Sequence, residues 1–292
     1  MSGHDRCILP CERWKSMAPT IYFDTNVFRY FATAFRDSPL DEDLTDYLAV
    51  SPISLLELLG QLVTPGAQQA FDAVQTMFRV YRPEHTAMLP WEDEVFRVIV
   101  FGVQPTQLRV TDALNNATQK VLNASSPAGL HSKAQELNAL LKESKYRAAE
   151  DFAQALISWR KDGAPDDILH RRFFAEGIAR RADVPVKDID VEDVTRKLSA
   201  LWAYESTRLE NAAYEPNYNP HKNENENDAF DAEQLVYLAI QEAHFLTADA
   251  GFRKASGAEQ YSRIHYEPVQ TFTDHKLATQ LIRSIVEASR SL

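Results

Sequence analysis

Residues 21–28 read Ile21-Tyr22-Phe23-Asp24-Thr25-Asn26-Val27-Phe28. Three apolar residues end on a carboxylate, and beyond it the chain turns amphipathic. The pattern predicts a buried strand over 20–24 and a helix over 26–36, with Val27, Phe28, Tyr30, Phe31 and Phe35 apolar. In open α/β sheets ligands collect at the carboxyl ends of strands, where the Asp24 side chain is expected. An acid at that place is either a metal ligand or a local helix cap.

Similar units follow on either side of a long helical stretch. Residues 47–63, YLAVSPISLLELLGQLV, predict a second strand ending near Ser51 and a helix with Pro52 in its first turn. Residues 71–81 read as helix. Residues 85–103 read as a short third strand and then a helix from about Trp91. From Pro105 to about Pro216 helical periods dominate, no strand of usual length stands out, and Asp166 and Asp190 look like helix starts. The polar stretch 215–228, EPNYNPHKNENEND, reads as a connector. Then come a helix over 228–243, a strand ending in FLTAD, a turn at 251–255, a last strand around 262–268 and a closing helix over 273–290. Strands alternating with helices predict an α/β fold with a parallel sheet, interrupted by an all-helical insertion.

The chain has 292 residues, 45% hydrophobic and 25% charged, which fits a globular protein with a sizeable core. The opening residues lack the continuous apolar run of a secretory signal, and the longest apolar stretch, Val98–Val103, is too short to span a bilayer. The two cysteines, Cys7 and Cys11, make no disulfide framework, and no second Cys or His pair follows at finger spacing. These features lead to the expectation of a cytoplasmic protein with an N-terminal extension over 1–18 and no membrane partner.

The net charge of -11 argues against a broad basic face for nucleic acid. Between Pro105 and Pro220 stand 16 basic and 17 acidic residues, so nearly all the acidity belongs to the outer segments. Most such charges simply keep a surface soluble. Four places, however, put acids where a sheet-end site would collect them. Asp24 is the first. Glu57, six residues past Ser51, lies among Leu55, Leu56, Leu58 and Leu59, where an acid either faces solvent from its helix or, if buried, must be paired or bound to a cation. Asp228 and Asp231, three apart at the expected helix start, share a face, although one of them alone would serve as an N-cap. Asp249 follows the apolar run of FLTAD, as Asp24 follows IYF.

The segments IYFDTNVF, SPISLLELL, NDAFDAEQLVYLA and FLTADAGF resemble, in order and local context, the PIN-domain nucleases. The resemblance covers about the first hundred and the last seventy residues. It implies a three-layer α/β/α parallel sheet over 19–104 and 221–292, with residues 105–220 as an inserted helical subdomain. It also implies a metal-dependent endoribonuclease. Asp24, Glu57, Asp231 and Asp249 would then line the metal pocket as catalytic acids, with Asp228 as an accessory metal ligand. Asn26 and Thr247 would hold the pocket's hydrogen bonds, although a helix-start cap and an ordinary strand threonine account for them nearly as well.

Hard oxygen donors suit Mg²⁺ or Mn²⁺, and one or two such ions would bridge a phosphodiester, activate water and stabilise the leaving oxygen. No His nucleophile is required, and His221, His244 and His265 lie scattered without metal-site spacing. The insertion carries local basic pairs, Arg160-Lys161, Arg171-Arg172, Arg180-Arg181 and Arg196-Lys197, with Trp159, Phe173, Phe174 and Trp202 nearby. Guidance of nucleic acid, RNA first, by Arg171, Arg172, Arg180 and Arg181 is one reading of them; a solvated helix face over an aromatic core is the other. A flap-type DNA nuclease and a non-cutting RNA- or protein-binding module are the competing functions. Partners beyond nucleic acid would be a second copy of the chain or an inhibitory protein.

Overall fold

A computed structural model of the chain describes residues 19–80, 87–105 and 109–290. The extension 1–18, with Cys7 and Cys11, lies outside the described residues, as does the start of the segment expected to form the third strand.

The first unit is β1 (Thr20–Phe23) followed by α1 (Thr25–Ala34). All four residues of β1 are buried. Successive side chains of a strand point to opposite faces. On β1, Tyr22 packs edge-on to Tyr237 of residues 233–239 at 5.4 Å while Phe23 packs edge-on to Phe28 and Phe31 of α1 at 5.4 and 4.9 Å. Both faces are thus covered, as a continuous apolar run in a parallel sheet requires. Next come β2 (Ala49–Val50), α2 (Pro52–Gly60), α3 (Ala67–Val80) and β3 (Ala87–Met88). Every residue of α2 is buried, so a helix apolar nearly all round runs through the interior and carries Glu57 with it.

A helical stretch follows: α4 (Arg109–Asn123), α5 (His131–Asp162), α6 (Asp167–Arg181), α7 (Val191–Lys197) and α8 (Ser199–Tyr214). Asp166 caps α6 through its bond from Leu169 N–H at 2.8 Å, and Asp190 caps α7 through Asp193 N–H at 3.0 Å, both as the sequence predicts. The chain closes with α9 (Asn223–Ala232), β4 (Ala243–Thr247), β5 (Ile264–Tyr266) and α10 (His275–Arg290). Buried Ala278, Ile282, Ile285 and Val286 give α10 its apolar face.

The strands pair in parallel, in the order β1-β4-β5, with Phe23 beside Leu246 and Thr247 beside Tyr266. β2 and β3 form a second parallel pair. A bridge from Ile21 to Leu48, with Ile21 N–H donating to the Tyr47 carbonyl at 2.7 Å, sets that pair on the edge of β1 opposite β4. The chain therefore leaves β1 toward one side, and β4 returns on the other. The crevice between the carboxyl ends of β1 and β4 is a topological switch point, where α/β proteins bind ligands. The expected α/β class with a parallel sheet is present.

Two elements differ from expectation. α9 begins at Asn223 rather than near Asp228, so the NENEN run is helical instead of a connector, and Asp228 and Asp231 stand well inside the helix. Neither acid is an N-cap. After Ala232 the chain tightens into a 3-10 helix, Glu233–Ala239, instead of continuing as α-helix; Leu235, Val236, Tyr237 and Leu238 are all buried there. One hydrophobic core joins the sheet to the helices of 109–214: Leu114, Leu137, Leu141, Ile178, Val194 and Tyr204 belong to the same cluster as Ile21, Leu55 and Phe245. A small satellite of Phe152, Leu156, Leu209 and Ala212 closes the far end of α5 on α8.

Candidate functional site

Asp24 ends β1 as expected, and it is a helix cap that also holds a bond across the sheet. One carboxylate oxygen, Oδ1, accepts the Asn26 N–H at 2.7 Å and caps α1. The other, Oδ2, accepts the Thr247 hydroxyl at 2.8 Å across the β1–β4 crevice. The residue is only 7% exposed. Burial pushes its pKa up to about 6; the bonds from Asn26 and Thr247 oppose that rise, and the neighbouring Glu57 and Asp249 charges add to it.

Thr247 is fully buried and links two acids, because its Oγ1 also accepts the Asp249 N–H at 2.9 Å. Asp249 in turn caps the following 3-10 turn, its Oδ1 accepting the Gly251 N–H at 2.7 Å. A Cβ at Gly251 would come within 3.1 Å of that oxygen, so the glycine lets the carboxylate sit close to the backbone. The Asn26 side chain takes no part in holding Asp24: its Oδ1 accepts from Arg29, and only its backbone serves the acid.

Glu57 projects from the buried helix α2 and is 8% exposed, so it does not face solvent. Its Oε2 accepts the Thr25 hydroxyl at 2.5 Å, and its Oε1 meets Lys145 Nζ at 2.8 Å. Asp231 rises from α9 on the other side. Burial raises its pKa, and the charges of Glu57, Asp24 and Asp249 push it further in the same direction, against Lys145. Among the described residues no side chain donates a hydrogen bond to its carboxylate. The four acids of 24, 57, 231 and 249 thus come from four separate elements into one electrostatic neighbourhood. Asp228 lies alongside, paired with Lys254 at 3.2 Å, and burial with the Asp228 and Asp231 charges raises the pKa of Tyr204 beside them.

The donor set is all carboxylate oxygen, which suits a hard divalent cation. Asp231, half-buried against like charges, is the group such an ion would relieve. Among the described residues, however, no three acids or imidazoles converge into a ready-made metal cage. Glu57 is drawn toward Lys145 and Asp24 toward Thr247, so the acids share a field without closing to ligand distance.

Buried hydrogen bonds below the acids fix the elements that carry them. Gln234 Nε2–H donates to Ser54 Oγ at 2.8 Å, and the Ser54 hydroxyl donates to the Phe23 carbonyl at 3.0 Å. The Tyr22 hydroxyl donates to the Gln234 carbonyl at 2.8 Å. β1, α2 and the turn after α9 are thereby tied together one residue before Asp24, three before Glu57 and three after Asp231.

The sequence reading missed Thr25, Ser54, Gln234 and Lys145. Lys145 had a legible signal. It lies on the stripe Ala134, Leu137, Leu141 and Ala149 of α5, all buried, where a cation needs an anion to meet.

The expected nucleic-acid arginines divide. Arg181 is tied into the protein by Glu92, Asp93 and Glu233 at 3.3, 2.9 and 3.0 Å; although burial works against its charge, those acids raise its pKa. Arg171 pairs with Asp167 at 2.7 Å and lies over Trp202. Arg172 and Arg180 share Glu176 and keep side chains that are 65% and 63% exposed. Arg160 donates to the carbonyls of Ala212 and Glu215 at the end of α8. His244 and His265 are not scattered: their rings meet at 3.0 Å on adjacent strands, and burial lowers both pKa values to about 4. This neutral pair belongs to the packing of the sheet.

Among the described residues no helix is long and apolar enough to cross a membrane. Comparison with protein-family models, curated proteins and solved structures gave no match.

Proposed function

We propose that the chain is a divalent-cation-dependent nuclease of PIN type, hydrolysing phosphodiester bonds, with RNA as the expected substrate. The observation that carries this reading is that Asp24, Glu57, Asp231 and Asp249, spread over more than two hundred residues of sequence, share one electrostatic neighbourhood beside the switch point of a parallel sheet. A cap explains Asp24 alone; a shared cation explains all four.

Mg²⁺ or Mn²⁺, when bound, would supply charge neutralisation at the phosphate and acidify water. Asp24, Glu57, Asp231 and Asp249 would hold it, with Asp228 in reserve. The protein's own part is positioning. Thr247 orients Asp24 and the loop of Asp249, Thr25 orients Glu57, and the Ser54–Gln234 pair keeps α2 and the end of α9 in register with β1. Substrate phosphates would meet Arg172 and Arg180, whose one shared acid leaves net positive charge, next to the exposed ring of Phe173.

The test is cleavage of single-stranded RNA in Mn²⁺ by the parent and by Asp24→Asn. Loss of at least about a hundredfold in rate is expected, the scale of removing one well-placed charge-stabilising group. Equal rates would place any activity elsewhere. Cleavage of DNA alone would change the substrate and keep the site.

A further inference from the structure

Glu57 needs a counter-charge, because it sits in a helix buried at every position. Lys145 provides one. Its ammonium lies 2.8 Å from Glu57 Oε1 and 2.8 Å from Asn227 Oδ1, and 5.3 Å from the centre of the Phe230 ring. The placement is built by the packing of α5 on α2. Gly60 leaves room for it, since a Cβ there would come within 3.1 Å of Leu141, and Asn138 donates to the Gly60 carbonyl at 2.8 Å. Lys145 follows two helical turns beyond Asn138, on the same face.

Asn227 and Phe230 both belong to α9, the helix that carries Asp231. Lys145 therefore has two sets of partners. Glu57 holds it on one side, and the amide oxygen and ring face of α9 hold it on the other. A lysine is a compact charge on a flexible stem, able to leave one partner and keep another; an arginine would clasp the carboxylate with two parallel bonds.

We propose that Lys145 is the resident cation of the acidic pocket, seated on Glu57 where a divalent ion would take hold, so that metal loading requires its ammonium to leave Glu57 for the α9 side. The proposal rests on the divalent-cation reading of the site. It makes Lys145 a positioning residue whose competition with the metal sets how readily the site fills.

The experiment titrates the full chain with Mn²⁺ alone, by calorimetry, for the parent, Lys145→Met and Lys145→Arg, each checked for folding by circular dichroism. Lys145→Met is expected to bind Mn²⁺ about tenfold more tightly than the parent, because Glu57 no longer has to give up a part-buried ion pair. Lys145→Arg keeps the cation and is expected to bind no more tightly than the parent. A merely structural lysine would give equal or weaker binding in the Met variant. That result, with Mn²⁺ still bound by the parent, overturns the proposal and leaves the cation site standing. A parent that binds no Mn²⁺ overturns both. The parent alone gives a second readout: with its lysines ¹³C-dimethylated, Mg²⁺ should shift the Lys145 signal over the concentration range in which the metal binds. A signal that stays fixed while Mg²⁺ binds overturns the proposal even where the Met variant fails to fold.

Discussion

Asp24 is held in a chemically strained position. Its carboxyl is pushed from 3.8 to about 6, so the metal-free native state binds that proton more tightly than the unfolded chain does. A raised carboxyl contributes stability at low pH and loses it as pH rises through the folded value. Between about pH 4 and pH 6 the metal-free protein should lose up to about 3 kcal/mol from this residue alone. Asp24→Asn removes the charge but keeps only one acceptor oxygen, so either the Asn26 N–H or the Thr247 hydroxyl loses its partner. That loss is the same at every pH, whereas the charge matters only above the folded pKa, so in chelator the variant should gain on the parent by up to about 3 kcal/mol between pH 4 and pH 7. Urea melts at the two pH values measure it; a stability difference that stays the same at both would show that the Asp24 charge is well solvated or paired. At this scale the sequence was readable where a residue broke a pattern. Asp24 ended an apolar run, and Glu57 interrupted a leucine run. Thr25 was invisible, because a threonine at a helix start reads as ordinary until its partner, 32 residues away, is placed.

Elements carry the site through short buried contacts more than through length. Strands β2 and β3 have two residues each, yet α2 is held in place by Ser54, which donates to the last residue of β1 and accepts from Gln234. Ser54→Ala would leave a buried carbonyl and a buried amide without that partner, at a cost of about 1–3 kcal/mol. The expected result is a lower urea midpoint with an unchanged slope, together with weaker Mn²⁺ binding as α2 loses its register. A midpoint equal to the parent's would mean that water replaces the hydroxyl. The strand–helix alternation and the caps at Asp166 and Asp190 were legible because each rests on a local signal. The start of α9 was not. Its first turns, Asn223 to Asn227, hold no apolar residue, so nothing periodic marks them, and the helix owes its place to packing along α5. The 3-10 turn after it is illegible for the opposite reason: a run apolar on every side has no period to read.

Across the whole molecule, the helices of 109–214 share one core with the sheet, and Lys145 of that region touches Glu57 directly. A chain lacking residues 105–220 would expose Leu59 and the end of α2 at Gly60, now covered by α5. It is expected to lose cooperative thermal unfolding, with the near-ultraviolet circular dichroism of a folded core absent. A cooperative melt for the shortened chain would show instead that the flanking segments fold alone. The sequence separated this region by its helical period and its balanced charge, but neither property reveals which surfaces touch. The central claim remains that one cation unites the four acids. Its most direct measurement is a calorimetric Mn²⁺ titration of the parent and of Asp231→Asn, the acid most pressed by its neighbours. The parent should bind Mn²⁺ at a defined stoichiometry of one or two ions per chain, as expected for a single pocket, and the variant should bind at least about tenfold more weakly. Equal binding by the two proteins, or none by either, would contradict the claim.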